Sequence, residues 1–312
     1  MNPQLWLAPL HGITSHTFRN TLCRHFGGID CYMAPFLPSQ PRGKLNKRVW
    51  QDIFPEHNSA VPLTPQLMGN RPDYLVDTIQ MLHELFGYEQ FNLNIGCPSS
   101  PVVRHKRGCG LMPHPDLVER IVAEVTAKTP FRLSLKMRLG LHDAKEGRDL
   151  LSRLNGYPLD FLVIHPRLGD ELYEGTPHWD LFEEFCSITR HRIVYSGDIF
   201  SKEDYKTLSE RFPMVFAWML GRGMLRNPFL AEEIKNQDIG DKLSRFGIFY
   251  HDLVEAFLPI RGENGTLANL KELWHYFAHF AQISDEELRS LLRIVVMKDF
   301  VEASIHILHI LK

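Results

Sequence analysis

Cysteine is scarce in this chain: five residues in 312, at Cys23, Cys31, Cys97, Cys109 and Cys186. An odd and thinly spread set is no disulfide framework, and it suits a reducing, cytoplasmic setting. An excess of one charge is lacking too. Lys+Arg 35 against Asp+Glu 37 leaves a formal −2, so the chain is no generally basic nucleic-acid binder. Any such contact has to come from a local patch. No apolar run approaches the roughly 20 residues of a membrane span. The opening MNPQLWLAPL has no basic stretch leading into a long apolar one, which predicts no signal peptide. Low-complexity tracts are missing as well. Secreted, fibrous, disordered and membrane classes are thereby set aside.

What is present is alternation. Eight short β-type runs recur: Leu5–Leu10, Cys31–Phe36, Leu63–Gly69, Gln90–Gly96, Arg132–Gly140, Phe161–Arg167, Arg192–Ile199 and Phe216–Gly223. Amphipathic, helix-like stretches separate most of them. Pro72 suits the first position of one helix, and Ser201-Lys-Glu-Asp reads as a relative of the capping box at another. Strands alternating with helices imply parallel pairing and right-handed crossovers. Eight units fit a (β/α)8 TIM barrel better than a doubly wound sheet, whose G-x-G-x-x-G is missing after the first strand. Residues 37–62 form an unusually long connection. From Asp241 the pattern turns helical, with Ser284-Asp-Glu-Glu287 as a capping box before the apolar run Leu288–Met297. The chain is therefore expected to be a barrel over 1–240 followed by a small α-helical domain over 241–312.

In such a barrel, reactive groups lie at the C-terminal strand ends. The unusual residues collect there: Asn94-Ile-Gly-Cys97, Lys136-Met-Arg138, His165-Pro-Arg167, Ser196-Gly197-Asp198 and Gly221-Arg222-Gly223. A lone cysteine is more often a buried small hydrophobe. Cys97, between Gly96 and Pro98 at a strand end, is instead held in a turn with its thiol aimed outward. A lone histidine such as His165 is usually a hydrogen-bonded core residue. Lys136 is the stronger signal, because an interior lysine is costly without an anionic partner. Gly197 and Gly221-Arg222-Gly223 fall where barrels hold phosphate groups, so a phosphorylated ligand is expected. Cys97, His105 and Cys109 match no common zinc spacing, and no metal is expected. Two basic clusters follow strand ends, Arg42, Lys44, Lys47 and Arg48, and Arg104, His105, Lys106 and Arg107. Each alone is usually a solvated face; both at the barrel mouth suit a phosphate-backbone substrate. Tyr32, Phe36, Trp50 and Tyr173 are candidates for base stacking, though core packing explains each as well.

These residues resemble the tRNA-dihydrouridine synthase family. The likeness runs through Ala8-Pro9-Leu10-His11-Gly12 with Phe18-Arg19, Gln66-Leu67-Met68-Gly69, Asn94-Ile-Gly96-Cys97-Pro98, Lys136-Met-Arg138, His165-Pro-Arg167, Gly197-Asp198-Ile199 and Gly221-Arg222-Gly223 with Asn227-Pro228. It extends to Leu270-Lys271-Glu272-Leu273-Trp274 in the helical region, and Phe54-Pro55-Glu56 with Thr64-Pro65-Gln66-Leu67 looks most like the bacterial DusC branch.

The resemblance implies an FMN-bound barrel whose helical domain helps hold tRNA. It implies reduction of a D-loop uridine to 5,6-dihydrouridine, hydride reaching C6 from FMN with NADPH as reductant. It makes Cys97 the general acid at C5, a role that suits a thiol whose free pKa of about 8.5 leaves it protonated near neutrality. Asn94 and Arg138 would meet the flipped-out uracil; Lys136 and His165 would lie against flavin and base, and Gln66 at the isoalloxazine edge. Ala8, Pro9 and Leu10 would line the ring. Gly197, Gly221 and Arg222 would cradle the phosphate, with Ser196 and Asp198 also counted as cofactor-binding. Arg104, Lys106 and Arg107 would touch RNA. Asn92, Pro166, Ser196 and His11 depart from the family's usual residues, which leaves the target uridine open. A monomer is expected. Two other readings remain: an FMN barrel enzyme acting on a small pyrimidine or enone, and a non-catalytic RNA-binding barrel.

Overall fold

The computed structural model describes residues 2–43 and 50–310. Its ten strands are all parallel: β1 Leu5–Leu7, β2 Cys31–Met33, β3 Leu37–Pro38, β4 Leu63–Thr64, β5 Gln66–Met68, β6 Gln90–Ile95, β7 Arg132–Gly140, β8 Leu159–Leu168, β9 Arg192–Tyr195 and β10 Ala217–Leu220. Their order is β3-β5-β6-β7-β8-β9-β10-β1-β2-β4. The two ends of that order belong to the same pair of strands. Pro35 interrupts the second barrel strand between β2 and β3, and Pro65 the third between β4 and β5, since proline has no N–H for the ladder. The pairing continues across both gaps, Ala34 N–H donating to Thr64 O at 3.0 Å and Asn92 N–H to Pro65 O at 3.0 Å. Ten segments thus make eight barrel positions, as the sequence implied.

Both faces of these strands are buried, for different reasons. On β7, Leu133, Leu135, Met137 and Leu139 point outward under the helices and are at most 3% exposed. Residues two apart on the opposite face fill the barrel. There Trp6, Ala8, Met33, Phe161, Val163, Val194, Ala217 and Met219 form an apolar cluster of their own, distinct from the main core. The lower barrel is therefore packed solid, and its upper end is left to polar residues.

Local signals behave as their chemistry predicts. Pro72 opens the helix Pro72–Phe86, which ends on Gly87 in the left-handed region. Ser201 and Ser284 each form a capping box, with Asp204 and Glu287. One run differs from expectation. Leu288–Met297 is not one helix: the turn at Arg293 ends Asp285–Leu292, and a separate helix begins at Met297. Asp241 caps the helix Lys242–Phe280, accepting from Leu243 and Ser244 N–H at 3.1 Å each. That long helix is two in sequence, broken where Gly262 adopts φ 65°. Its first half docks on the opening βα unit. Phe249 meets Phe26 and Phe18, with ring centroids 4.9 and 6.3 Å apart, and Arg245 donates to His25 O at 2.6 Å.

The long connection after β3 is pinned by one buried arginine. Arg19 is 0% exposed and donates to Thr14 O at 2.7 Å, to Asp52 O at 2.5 Å and to Asn58 Oδ1 at 2.8 Å. Burial lowers its pKa to about 10. Arg19→Met removes three hydrogen bonds at about 1 kcal/mol or more each, leaving Thr14 O and Asn58 Oδ1 without their donor and Asp52 O with its one remaining bond from Asn58 Nδ2. Urea unfolding should show a loss of roughly 3 kcal/mol; an unchanged midpoint would refute this pinning role.

Candidate active site

The site rises from a one-directional chain of hydrogen bonds inside the barrel. Asn92 and Asn94 on β6 stand in register with Ser134 and Lys136 on β7. Ser134 Oγ donates to Phe91 O at 3.0 Å and accepts from Asn92 Nδ2 at 2.9 Å. Asn92 Oδ1 accepts from Gln66 Nε2 at 2.8 Å, and Gln66 Oε1 from Asn94 Nδ2 at 2.9 Å. Asn94 Oδ1 then takes the N–H groups of Gly96 at 3.0 Å and Cys97 at 2.5 Å. Each amide is oriented by its neighbour, and the last one shapes the turn that carries the Cys97 thiol. Gly108 supports the same turn from behind. At φ +53° its virtual Cβ would lie 2.5 Å from Cys97 O, so only glycine lets Cys109 N–H reach that carbonyl, at 2.8 Å.

A cavity of about 440 Å³ opens over this chain at the C-terminal strand ends, in the usual range for ligand sites. Pro9, Leu10, Asn94 and Cys97 line one side, and Lys136, Arg138, His165 and Arg222 the other. Ala8 is buried beside it, its Cβ 3.5 Å from where a side chain on Gly221 would begin. Gln66 lies beneath, 0% exposed, with Nε2 and Oε1 both used by the asparagines. Ser196, Gly197 and Asp198 follow β9 outside the cavity wall. A Cβ on Gly197 would fall 2.4 Å from the Tyr195 hydroxyl, so packing alone explains that glycine.

The walls are dominated by cations. Lys136 has no carboxylate partner among the described residues, and desolvation, aided by Arg138, lowers its pKa to about 8. Arg138 donates to Gly96 O at 3.1 Å and Leu168 O at 2.7 Å, while its Nη2 is buried with no partner. His165 is driven well below its ordinary value by burial and then by Arg138, Lys136, Arg167 and Arg222. Counter-charge comes from Glu272 on the wall and from Asp198 behind it. Burial pushes the Asp198 pKa up, but Arg167 and Arg222, each 2.5 Å from one of its oxygens, outweigh that and hold it low. A pocket with an unpartnered ammonium on Lys136 and unpartnered guanidinium nitrogens on Arg138 and Arg226 is built for a ligand rich in acceptors or anionic. Among the described residues no cluster of three or more His, Cys, Asp or Glu could hold a metal ion.

Several expectations about the surroundings resolve differently. Tyr32 and Trp50 are core residues, 1% and 0% exposed, and cannot stack on a base. Phe36 and Tyr173 do line the cavity. Arg104, Lys106 and Arg107 are exposed just after Cys97 but outside the cavity wall. Arg42 is paired with Glu84 at 2.7 Å, and Lys44, Lys47 and Arg48 lie outside the described residues. Sequence reasoning passed over Tyr276 and took Glu272 only as part of a helical segment with no site role; both reach the cavity from the second half of the long helix, and their spacing of four was a signal only of a shared helix face. His11, noted only as a departure from the family's usual residue, lines the cavity and stacks on Phe36 with centroids 4.7 Å apart.

Lys136 gives a pH test. Its pKa in the fold, about 8, is below the ordinary 10.5, so between those values the unfolded chain binds more protons and stability rises with pH. In ligand-free protein, Lys136→Met should flatten that rise and add stability at neutral pH. An identical pH slope in the variant would show that Lys136 is not the desolvated group.

Comparison with known proteins agrees with this architecture. The family model described as dihydrouridine synthase matches residues 6–259. A tRNA-dihydrouridine(16) synthase of Cupriavidus necator is 31% identical over 243 residues, covering 74% of this chain and 73% of the relative. One from Neisseria meningitidis serogroup B is 30% identical over 246 residues, covering 75% and 72%. A tRNA-dihydrouridine synthase B of Pasteurella multocida is 29% identical, covering 73% and 67%. Among solved structures, an old yellow enzyme homologue from Zymomonas mobilis superposes with TM-score 0.57 at 12% identity, covering 77% of this chain and 90% of that one, a likeness of fold. The family match over most of the barrel, together with relatives of this identity and coverage, means that the chain belongs to the dihydrouridine synthase family.

Proposed function

We propose that this protein reduces uridine to 5,6-dihydrouridine in tRNA, with FMN as cofactor and NADPH as reductant. The observation that carries the reading is the pairing, in one cavity, of a thiol at Cys97 with unpartnered donors on Lys136 and Arg138. Those donors fit an acceptor-rich, anionic ring system, and Gly221, with open space at its missing side chain except for Ala8, leaves room for close approach. When bound, FMN supplies the hydride that goes to C6 of the uracil. The protein's own residues do the rest. Asn94 holds the Cys97 turn so that the Sγ–H faces the cavity, and the thiol donates its proton to C5, later regaining one from solvent. Lys136 and the free Nη2 of Arg138 offset negative charge, Lys136 and His165 toward the flavin and Arg138 with Asn94 toward the uracil carbonyls. Arg222, anchored by Asp198, answers the phosphate with Gly221 beside it, and Ser196 and Gly197 back that wall from outside the cavity. Pro9 and Leu10 shape the wall against the ring.

The substrate is inferred to be RNA because the exposed Arg104, Lys106 and Arg107 stand on the Cys97 side of the mouth, where a phosphate backbone would pass. The base has to leave its stack to reach the thiol. Uridine 16 is the target we infer, on the names that the relatives at 31% and 30% identity carry.

Cys97→Ala is the test. The variant should keep its flavin and its tRNA affinity and lose product by about 10²- to 10⁴-fold, measured as dihydrouridine per tRNA. Product formed at the wild-type rate would remove Cys97 from the role of acid.

A further inference from the structure

Arg167 is buried in the barrel wall, 0% exposed, yet it lines no part of the cavity. Every donor group on it is used. Nε donates to Glu174 O at 3.0 Å; Nη2 donates to Gly175 O at 2.6 Å and Asp198 Oδ2 at 2.5 Å. Nη1 reaches Asp198 Oδ1 at 3.2 Å and lies 3.1 Å from His165 Nε2. A guanidinium carries donors and no acceptor. The contact with His165 therefore forms only if Nε2 presents its lone pair, which leaves the imidazole proton on Nδ1.

We infer that Arg167 is a positioning residue that fixes His165 as the Nδ1–H tautomer, so that His165 serves the cavity as a hydrogen-bond donor and neither gives nor takes the reaction's proton. The surroundings of His165 support a neutral ring. Lys136 and Arg138 face it from β7, Arg167 from its own strand and Arg222 from beyond β10, and Tyr173 adds a ring 6.0 Å away. Asp198 is engaged by Arg167 and Arg222, and the cavity's own carboxylate, Glu272, comes from the long helix. A second proton on Nε2 would point at the guanidinium. Arg167 cannot turn aside to admit it, because two backbone carbonyls and a carboxylate hold it. No described residue accepts from Nδ1, and His165 lines the cavity, so that N–H is left for a ligand. Its partner is an acceptor atom, such as a carbonyl oxygen or an unprotonated ring nitrogen. Only the naming of that acceptor as part of a flavin or uracil rests on the proposed function; the tautomer does not. With His165 so fixed, the proton for the substrate has to come from another group, and Cys97 is the thiol on the same cavity.

The experiment is long-range ¹H–¹⁵N correlation on ¹⁵N-histidine-labelled, ligand-free protein, with His165 assigned by difference from His165→Gln. Expected is a protonated-type Nδ1 and an unprotonated-type Nε2, unchanged from about pH 5 to about pH 8, the range in which an ordinary histidine titrates. Arg167→Met should release the lock, so that the Nε2–H form, undetectable in the wild type, becomes populated and the ring begins to titrate. Arg167→Lys, which keeps a donor, should retain the Nδ1–H form. A wild-type Nε2–H tautomer, titration in that range, or an unchanged tautomer in folded Arg167→Met would each overturn the inference. If Arg167→Met does not fold, the wild-type and Arg167→Lys spectra still decide. Because no RNA or cofactor is present, failure here is separable from failure of the proposed reaction.

Discussion

The constraint on which the site depends is positive charge without enough counter-charge. Lys136, Arg138, Arg167 and Arg222 surround His165; Asp198 is held by two of them, and Glu272 is the carboxylate on the cavity wall itself. A barrel stable enough to carry this has its remaining interior filled by apolar residues from Trp6 to Met219. The deficit is met in two ways. Backbone carbonyls at Gly96, Leu168, Glu174 and Gly175 take four of the arginine N–H bonds, and Asp198 takes three. Still open are the Lys136 ammonium, the Nη2 of Arg138 and the Nε of Arg226. That remainder gives the cavity its preference for acceptor-rich or anionic ligands.

Charge alone would not aim the Cys97 thiol. The thiol is aimed by the chain from Ser134 through Asn92, Gln66 and Asn94 to the N–H groups of Gly96 and Cys97. Every amide in it has a fixed direction, so the Cys97 turn inherits its geometry from residues buried two layers below. The five cysteines then divide by environment. Burial raises Cys109 and Cys186 to about 12 and Cys31 to about 11, which disfavours their thiolates, while Cys97 opens on the cavity.

Much of this was legible in the sequence because barrels place chemistry at strand ends. Lys136, Arg138, His165 and Cys97 could be picked out by residue type and position, since an interior lysine has no packing role to explain it. What stayed hidden was long-range. Arg167 takes its meaning from carbonyls at 174 and 175 and a carboxylate at 198, partners that no local pattern links. Glu272 and Tyr276 come to the mouth only because the long helix breaks at Gly262 and its second half returns across the barrel. Gln66 reads as a surface for a ligand, yet its amide is consumed by two asparagines that the sequence does not mark as its neighbours. Trp50 looked available for stacking and is core, because Arg19 ties the connection around it to the first helix.

The most direct test of the account is anaerobic mixing of the flavin-loaded, fully reduced protein with unmodified tRNA, followed by visible absorbance and by the mass of the RNA. The account predicts that the oxidised-flavin bands return with tRNA but not with free uridine, and that one uridine gains two hydrogens. A protein that takes up no flavin, or whose reduced flavin is reoxidised equally by free uridine and by tRNA, would contradict it.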